Sequence, residues 1–123
     1  MKKFILIFFV LVIFAAISIN AQSAAANKDW PAFWTKFRSA VIRKDKATIL
    51  GLAIDDSRFE RDAGGDSPSD YLDFWLSSRM YKKTAAEINS GVKPWQGGKI
   101  TRKGCYWFKF IGGRWYWAGI PCD

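Results

Sequence analysis

The stretch from Cys105 to Cys122 constrains the fold most strongly, because it has the pattern of one aromatic β-hairpin. Two runs rich in aromatic and β-branched residues flank Gly112-Gly113, a pair typical of a two-residue turn with positive φ at its centre. Because one face is almost wholly aromatic, it requires a covering layer. The turn predicts these cross-strand partners: Phe110 with Trp115, Phe108 with Trp117, and Tyr106 with Gly119.

The opposite face of the hairpin mixes polar and apolar side chains. Surface Trp, Tyr and Arg are enriched among the residues that dominate protein interfaces, so this face is a candidate interaction surface, with a homodimer as a natural use. The residues on it are Trp107, Lys109, Ile111, Arg114, Tyr116, Ala118 and Ile120, of which Trp107, Lys109, Arg114 and Tyr116 are the interface candidates.

Residues 1–23 have the three parts of a secretory signal peptide. Two lysines precede an unbroken apolar run from Phe4 to Ala16, which Ile17-Ser18-Ile19 extends, and small residues follow it. Cleavage is expected after Ala21 or after Ser23, which predicts an exported protein, periplasmic or secreted. The alternative is an uncleaved N-terminal anchor, although the unbroken run is shorter than the roughly 18 residues of a membrane span. The membrane is otherwise not a predicted partner.

Residues 24–123 are short enough to predict a single domain. Without Lys2 and Lys3 the net charge falls from +8 to +6. In an exported protein this excess favours anionic envelope surfaces or acidic partners over nucleic acid, which we do not predict as a partner. The cations are spread along the chain, so they indicate a bias in charge and not a site.

Both cysteines of the chain, Cys105 and Cys122, bracket the hairpin. The predicted register places them on one face in diagonal positions, and export places them in an oxidising compartment. We therefore predict a structural disulfide. A catalytic or metal-binding thiol is the alternative, but the chain has no C-x-x-C motif and no histidine.

Three helices are predicted before the hairpin. The first runs from about Lys28 to Lys44, with Asp29 as its cap and Pro31 in its first turn. A short second helix spans Lys46 to Leu52, and Asp45 caps it. The third extends to about Met80, with Ser67 as cap and Pro68 at its first position.

The remaining segments are less regular. Residues 53–60 form either a short strand or an irregular crossing, and residues 62–70 form a surface loop whose spaced carboxylates make a calcium site the less favoured alternative. Thr84-Ala-Ala-Glu87 is a capping box that predicts one further helical turn, ended by Gly91. Residues 92–103 are a loop with one strand around Lys99 to Arg102.

The composition argues against catalysis. The chain contains no histidine, which removes the usual general base and every nucleophile system that depends on one. The best remaining acid–base candidates are Asp73 and Asp70 in the third helix. The chain has no phosphate-binding glycine motif, and we predict no catalytic constellation, no metal and no cofactor.

The arrangement of motifs resembles the NTF2-like (SnoaL-like, cystatin-like α+β cone) superfamily, especially its small exported bacterial members. The resemblance covers most of residues 24–123. The resemblance implies an α+β fold in which N-terminal helices pack on a curved antiparallel sheet, with a pocket between them and often a dimer. The motifs that carry it are Phe33-Trp34-x-x-Phe37-x-x-Ala40-Val41, Lys44-Asp45-Lys46, Tyr106-x-Phe108-x-Phe110 and Gly113-x-Trp115-x-Trp117-x-Gly119-Ile120.

Three hypotheses of function follow. The first is an exported non-catalytic domain that binds an apolar or amphipathic small ligand, or a protein partner. The second is a homodimeric interaction module that uses the mixed hairpin face, and the third is a SnoaL-like acid–base enzyme. For a ligand, the pocket candidates are Trp34, Phe37, Tyr71, Trp75, Phe108, Trp115 and Trp117, each of which is alternatively a core residue.

Overall fold

The computed structural model describes residues 24–61 and 65–122 of the chain. Within these residues, helices pack with a four-stranded antiparallel sheet, which confirms the predicted α+β class. The signal peptide expected over residues 1–23 lies outside the described residues, as do residues 62–64 of the loop considered for calcium.

The first helix, α1, is described over residues 24–42 and presents aromatic side chains to the core. Phe33 and Phe37 are buried, and Trp34 is half-buried. The predicted cap at Asp29 is wrong, because the alanine-rich residues before it have high helix propensity and are already helical. Pro31 therefore lies inside the helix, where it removes one N–H from the hydrogen-bond ladder.

The helices α2 (Lys46–Gly51) and α3 (Pro68–Trp75) begin at the caps that the sequence predicts. The side chains of Asp45 and Ser67 each accept a hydrogen bond from the backbone N–H three residues later, in both cases at 3.2 Å. The predicted end of α3 near Met80 is wrong. The helix stops earlier because the serines that follow compete for backbone hydrogen bonds.

The helix α4 (Tyr81–Asn89) is longer than the single turn predicted, and the capping box is wrong. Thr84 and Glu87 lie inside the helix and are buried. The Thr84 hydroxyl donates to the backbone carbonyl of Trp75 at 2.8 Å, so it ties α4 to α3.

The sheet has the order β1-β2-β3-β4 with antiparallel neighbours. Its strands are β1 (Val92–Trp95), β2 (Gly98–Thr101), β3 (Trp107–Ile111) and β4 (Arg114–Gly119). The predicted strand near Lys99 corresponds to β2. The sequence reading missed β1 because it contains Pro94, and a proline within so short a run argues against a strand unless it lies at a sheet edge.

The aromatic hairpin is confirmed, with Gly112 and Gly113 at φ of 58° and 85° in its turn. Phe110 faces Trp115 and Phe108 faces Trp117, as predicted. The pairing predicted for Tyr106 and Gly119 is wrong. A register shift between Trp107 and Phe108 places Gly119 opposite Trp107, and Tyr106 precedes the strand.

Residues 53–60 are a crossing that covers the outer edge of β4. Ala53 and Glu60 form parallel bridges with Trp117 and Gly119, and a short 3-10 helix (Asp56–Arg58) lies between the bridges. A side chain at Gly119 would place its Cβ 2.7 Å from the Glu60 carbonyl oxygen, so this close approach requires glycine.

The disulfide between Cys105 and Cys122 is confirmed, with the two Cα atoms 4.7 Å apart. It joins the segment before β3 to the segment after β4 and so closes the base of the hairpin.

Candidate functional site

The space between α1 and the hairpin, where a pocket was expected, is occupied by aromatic side chains. Phe37, Phe108 and Trp117 have no solvent exposure, and Trp115 is also buried. The ring centroid of Phe37 lies 5.0 Å from that of Phe108 and 6.0 Å from that of Trp117. Rings at these distances pack directly on one another, so these four candidates form the core.

The other three pocket candidates are half-buried and contact different neighbours. Trp34 packs on Phe108 with ring centroids 5.6 Å apart. Tyr71 lies against Phe59 at 6.3 Å, and the Trp75 ring contacts its own neighbour in α3. The structure therefore does not bring the seven candidates together around one cavity.

An open groove of about 660 Å³ lies where the β1–β2 turn, the tip of the β3–β4 hairpin and the beginning of α1 meet. We call it the turn groove. Its volume falls within the range of about 300–1,000 Å³ typical of small-molecule sites. Its lining includes Asn27 of α1, Trp95, Gln96 and Lys99 of the first hairpin, and Phe110 and Trp115 of the second.

The register of the sheet creates this groove. The pairing of β2 with β3 includes Lys99 with Phe108 and Ile100 with Trp107, whereas β3 continues to Ile111. The tip of the second hairpin therefore projects past the first one. The indole N–H of Trp115 donates to the Ala26 carbonyl at 2.8 Å, which holds the beginning of α1 against the projecting tip.

The β1–β2 turn that borders the groove has an uncommon backbone. Gln96 and Gly97 both have positive φ, at 44° and 75°, as in the turn type that favours Asn-Gly. Glutamine pays a steric cost in this region because its Cβ approaches the following carbonyl. Trp95, immediately before the turn, stands edge-on to Trp107 with ring centroids 5.4 Å apart.

The turn groove is electropositive. Lys99 lines it, with its Nζ 5.3 Å from the ring centroid of Trp30, and none of the lining residues that the structure describes is acidic. Among the described residues, the ion pairs found involve other cations. The four strands hold four basic residues and no acidic one: Lys93, Lys99, Lys109 and Arg114.

The interface candidates on the outer hairpin face differ in exposure. Trp107 is 5% exposed, with the Nζ of Lys109 4.8 Å from its ring centroid. Lys109 and Tyr116 are half-buried cross-strand partners, and the exposed Arg114 lies with its guanidinium 4.5 Å from the Tyr116 ring. Three of the four candidates are thus accessible, and the fourth lies beneath them.

The acid–base candidates are on the surface of α3. Asp73 is exposed and forms an ion pair with Lys46, with Nζ 2.5 Å from Oδ1. Asp70 is exposed and its carboxylate accepts from the Ser67 hydroxyl at 3.0 Å. Neither lines the turn groove. In the part of the chain that the structure describes, no three His, Cys, Asp or Glu side chains cluster as metal ligands would.

Sequence reasoning missed a buried polar cluster beneath the disulfide. Glu87, 6% exposed, accepts hydrogen bonds from the Thr101 hydroxyl and from the Cys105 backbone N–H, the latter at 3.1 Å. Burial, together with the nearby Glu87 charge, raises the pKa of Tyr106 well above its ordinary value. The available signal was that Thr84, Glu87 and Ile88 share one face of a helix, which the capping-box reading concealed.

The sequence also gave little indication of the turn groove. Of its lining, Trp115 was among the ligand candidates, while Trp95, Gln96 and Lys99 belonged to a segment assigned mainly as loop. A tryptophan directly before a Gln-Gly-Gly turn was the signal that could have directed attention there.

No protein-family model matches this chain, and neither a curated protein nor a solved structure is significantly similar to it. Among the helices of the described residues, none combines the length and apolar character that crossing a membrane requires.

Proposed function

We propose that this chain is an exported, non-catalytic binding domain, NTF2-like in origin, that holds a small amphipathic ligand in the turn groove. One observation carries the proposal: the turn groove combines an accessible aromatic ring with polar groups, whereas the interior between α1 and the sheet is filled. Phe110 is half-buried there, near the exposed amides of Asn27 and Gln96. Trp95 also lines the groove, but its ring packs on Trp107 on the opposite face of the sheet.

This combination is typical of a ligand site. Aromatic side chains supply contact area at a low entropic cost, and a few placed polar groups fix the orientation of a ligand. The surface of α3 does not combine a groove with aromatic and polar groups in this way. Its carboxylates Asp70 and Asp73 remain the basis of the third hypothesis, an acid–base enzyme. The packing of a long helix on an antiparallel sheet supports the NTF2-like origin.

The experiment is native mass spectrometry of the exported, mature protein, followed by denaturation of the same sample. A ligand retained by the native protein and released on denaturation is expected. Phe110→Ala should abolish retention, because it removes the half-buried ring that shares the groove's face with Lys99. Phe74→Ala is the matched control, since Phe74 is 51% exposed on α3 outside the groove. Equal retention by both variants would contradict the proposal.

A second candidate is a partner surface on the outer hairpin face. The observation that favours it is the accessible set of Lys109, Arg114 and Tyr116, in which both cations lie over aromatic rings. In a homodimer through this face, two-fold symmetry would bring the same cations of two copies together at an energetic cost. An acidic protein partner is therefore favoured over a second copy. Sedimentation of the wild type and of the double variant Arg114→Ala/Tyr116→Ala distinguishes the two: a dimer that the variant loses would favour the homodimer.

A further inference from the structure

The chemistry of the turn groove points to a ligand class, an inference that rests on the function proposed above. We infer that the turn groove binds an acidic saccharide. A sugar ring stacks on Phe110, its hydroxyls bond to the amides of Asn27 and Gln96, and its carboxylate pairs with Lys99.

The shape of the groove argues for a sugar over an acyl chain. A hydrocarbon chain gains affinity in proportion to the apolar area removed from water, so it requires an enclosed cavity. The turn groove is open along one side, and its lining alternates rings with polar groups. A pyranose has one C–H face for an aromatic ring and a rim of hydroxyls for polar groups and water, which suits an open groove.

The polar groups of the groove can bind the hydroxyls and one carboxylate of a ligand. Each side-chain amide offers two donors and one acceptor, and a hydroxyl both donates and accepts. Asn27 and Gln96 supply two such amides from opposite sides, one on α1 and one on the β1–β2 turn. Among the described residues of the lining, Lys99 is the one cation and none carries a carboxylate. A ligand carboxylate there would make a charge-assisted hydrogen bond.

The backbone of Gln96 is the independent observation. It is held at a φ of 44°, where asparagine or glycine would cost less, and it lines the groove with an exposed side chain. Strain of this kind, retained at a cavity, points to a use for the side chain. Lys44 provides a comparison, since its φ is 55° at the opposite end of α1 from the groove.

The test measures the affinity of the mature protein, by calorimetry, for trigalacturonate, maltotriose and laurate. We expect trigalacturonate to bind about tenfold or more tightly than maltotriose, because a charge-assisted pair is worth at least that factor. Laurate should not bind. Lys99→Met keeps the packing on Trp30 and should erase the advantage of the acidic sugar, whereas Lys99→Arg should keep it.

Gln96→Gly supplies a second, independent readout. It should raise the melting temperature by relieving the left-handed strain, yet weaken trigalacturonate binding about tenfold by removing the amide. Lys44→Gly should raise the melting temperature and leave the affinity unchanged. Unaltered binding by Gln96→Gly would overturn the role of its amide.

The remaining outcomes separate this inference from the proposed function. Binding of laurate without either saccharide would overturn the inference and leave the groove as a ligand site. Equal affinity for the acidic and neutral sugars would overturn the assigned role of Lys99. If none of the three probes binds and no ligand accompanies the exported protein, both the inference and the proposed function fail.

Discussion

Two aromatic regions of this domain, the interior and the turn groove, contain the same residue types but differ in exposure: the first is buried and the second is accessible. In the interior, Phe37, Phe108 and Trp117 have no exposure and touch one another. In the turn groove, Phe110 is half-buried near two amides and a lysine. The difference arises from the neighbouring elements: α1 packs along the inner face of the second hairpin, but the tip of that hairpin extends past β2 and lacks a neighbouring strand there. An aromatic residue is therefore structural or available according to which element faces it.

The largest effect should come from the interior. Trp117→Ala removes a fully buried indole and leaves a cavity, so it should cost about 3–5 kcal/mol of unfolding free energy. Urea denaturation of the mature protein measures this. Phe74→Ala, on the exposed face of α3, should change stability by less than about 0.5 kcal/mol. Comparable values for the two variants would contradict the assignment of Trp117 to the core.

The disulfide closes the base of the second hairpin, next to the buried interior. Replacing Cys105 and Cys122 together with serine should lower the unfolding free energy by about 3 kcal/mol in the chain-entropy model, given a separation of 17 residues. Denaturation with and without reductant checks it: reductant should destabilise the wild type and leave the double variant unaffected. Equal sensitivity to reductant would contradict the prediction.

The cluster around Glu87 is the polar counterpart of the aromatic interior. Glu87→Ala leaves the Thr101 hydroxyl without its buried acceptor and the Cys105 N–H with only the Thr101 oxygen at 3.2 Å, so it should cost about 2 kcal/mol. Glu87→Gln keeps an acceptor oxygen and should cost less. Thermal unfolding orders the two variants, and an equal loss in both would indicate that the charge matters more than the hydrogen bonds.

Tyr106 sharpens the comparison because it is an interior aromatic with a polar atom. Its hydroxyl is buried near Thr84, but the Thr84 hydroxyl donates to the Trp75 carbonyl, and no hydrogen bond of good geometry reaches the phenol among the described residues; burial raises its pKa. A tyrosine ionises near pH 10 in the unfolded chain. Below pH 10 the phenol is protonated in both states and does not change the free energy of unfolding with pH. Above pH 10 that free energy falls as the pH rises, because the unfolded state releases the proton and the folded state keeps it.

Tyr106→Phe should remove that alkaline loss. At neutral pH the variant should be as stable as the wild type or slightly more so, since no hydrogen bond is lost. The measurement is unfolding free energy from pH 7 to 11. A wild type and a variant that lose stability in parallel above pH 10 would show that the phenol is not the responsible group.

The sequence was most informative where one local pattern determines the structure. Gly112-Gly113 predicted the second hairpin and its main pairs, and Asp45 and Ser67 predicted their caps, because turns and caps depend on adjacent residues. The disulfide could be predicted because the two cysteines lie at the two ends of that same hairpin.

What the sequence could not predict depends on contacts between distant segments. Asp29 is a good cap by type, yet the helix continues past it. Pro94 argues against a strand that an edge position allows. The turn groove depends on how far β3 extends beyond β2, a matter of register that neither hairpin encodes alone.

The most direct test of the central claim follows the indole N–H signals of the seven tryptophans by NMR during a titration with trigalacturonate. The signal of Trp115, which lines the turn groove beside Phe110, should shift, while that of the fully buried Trp117 should stay in place. Assignment uses single Trp→Phe variants. Shifts at Trp117 and Trp34 with Trp115 unmoved would instead place the ligand between α1 and the sheet, and would contradict the account.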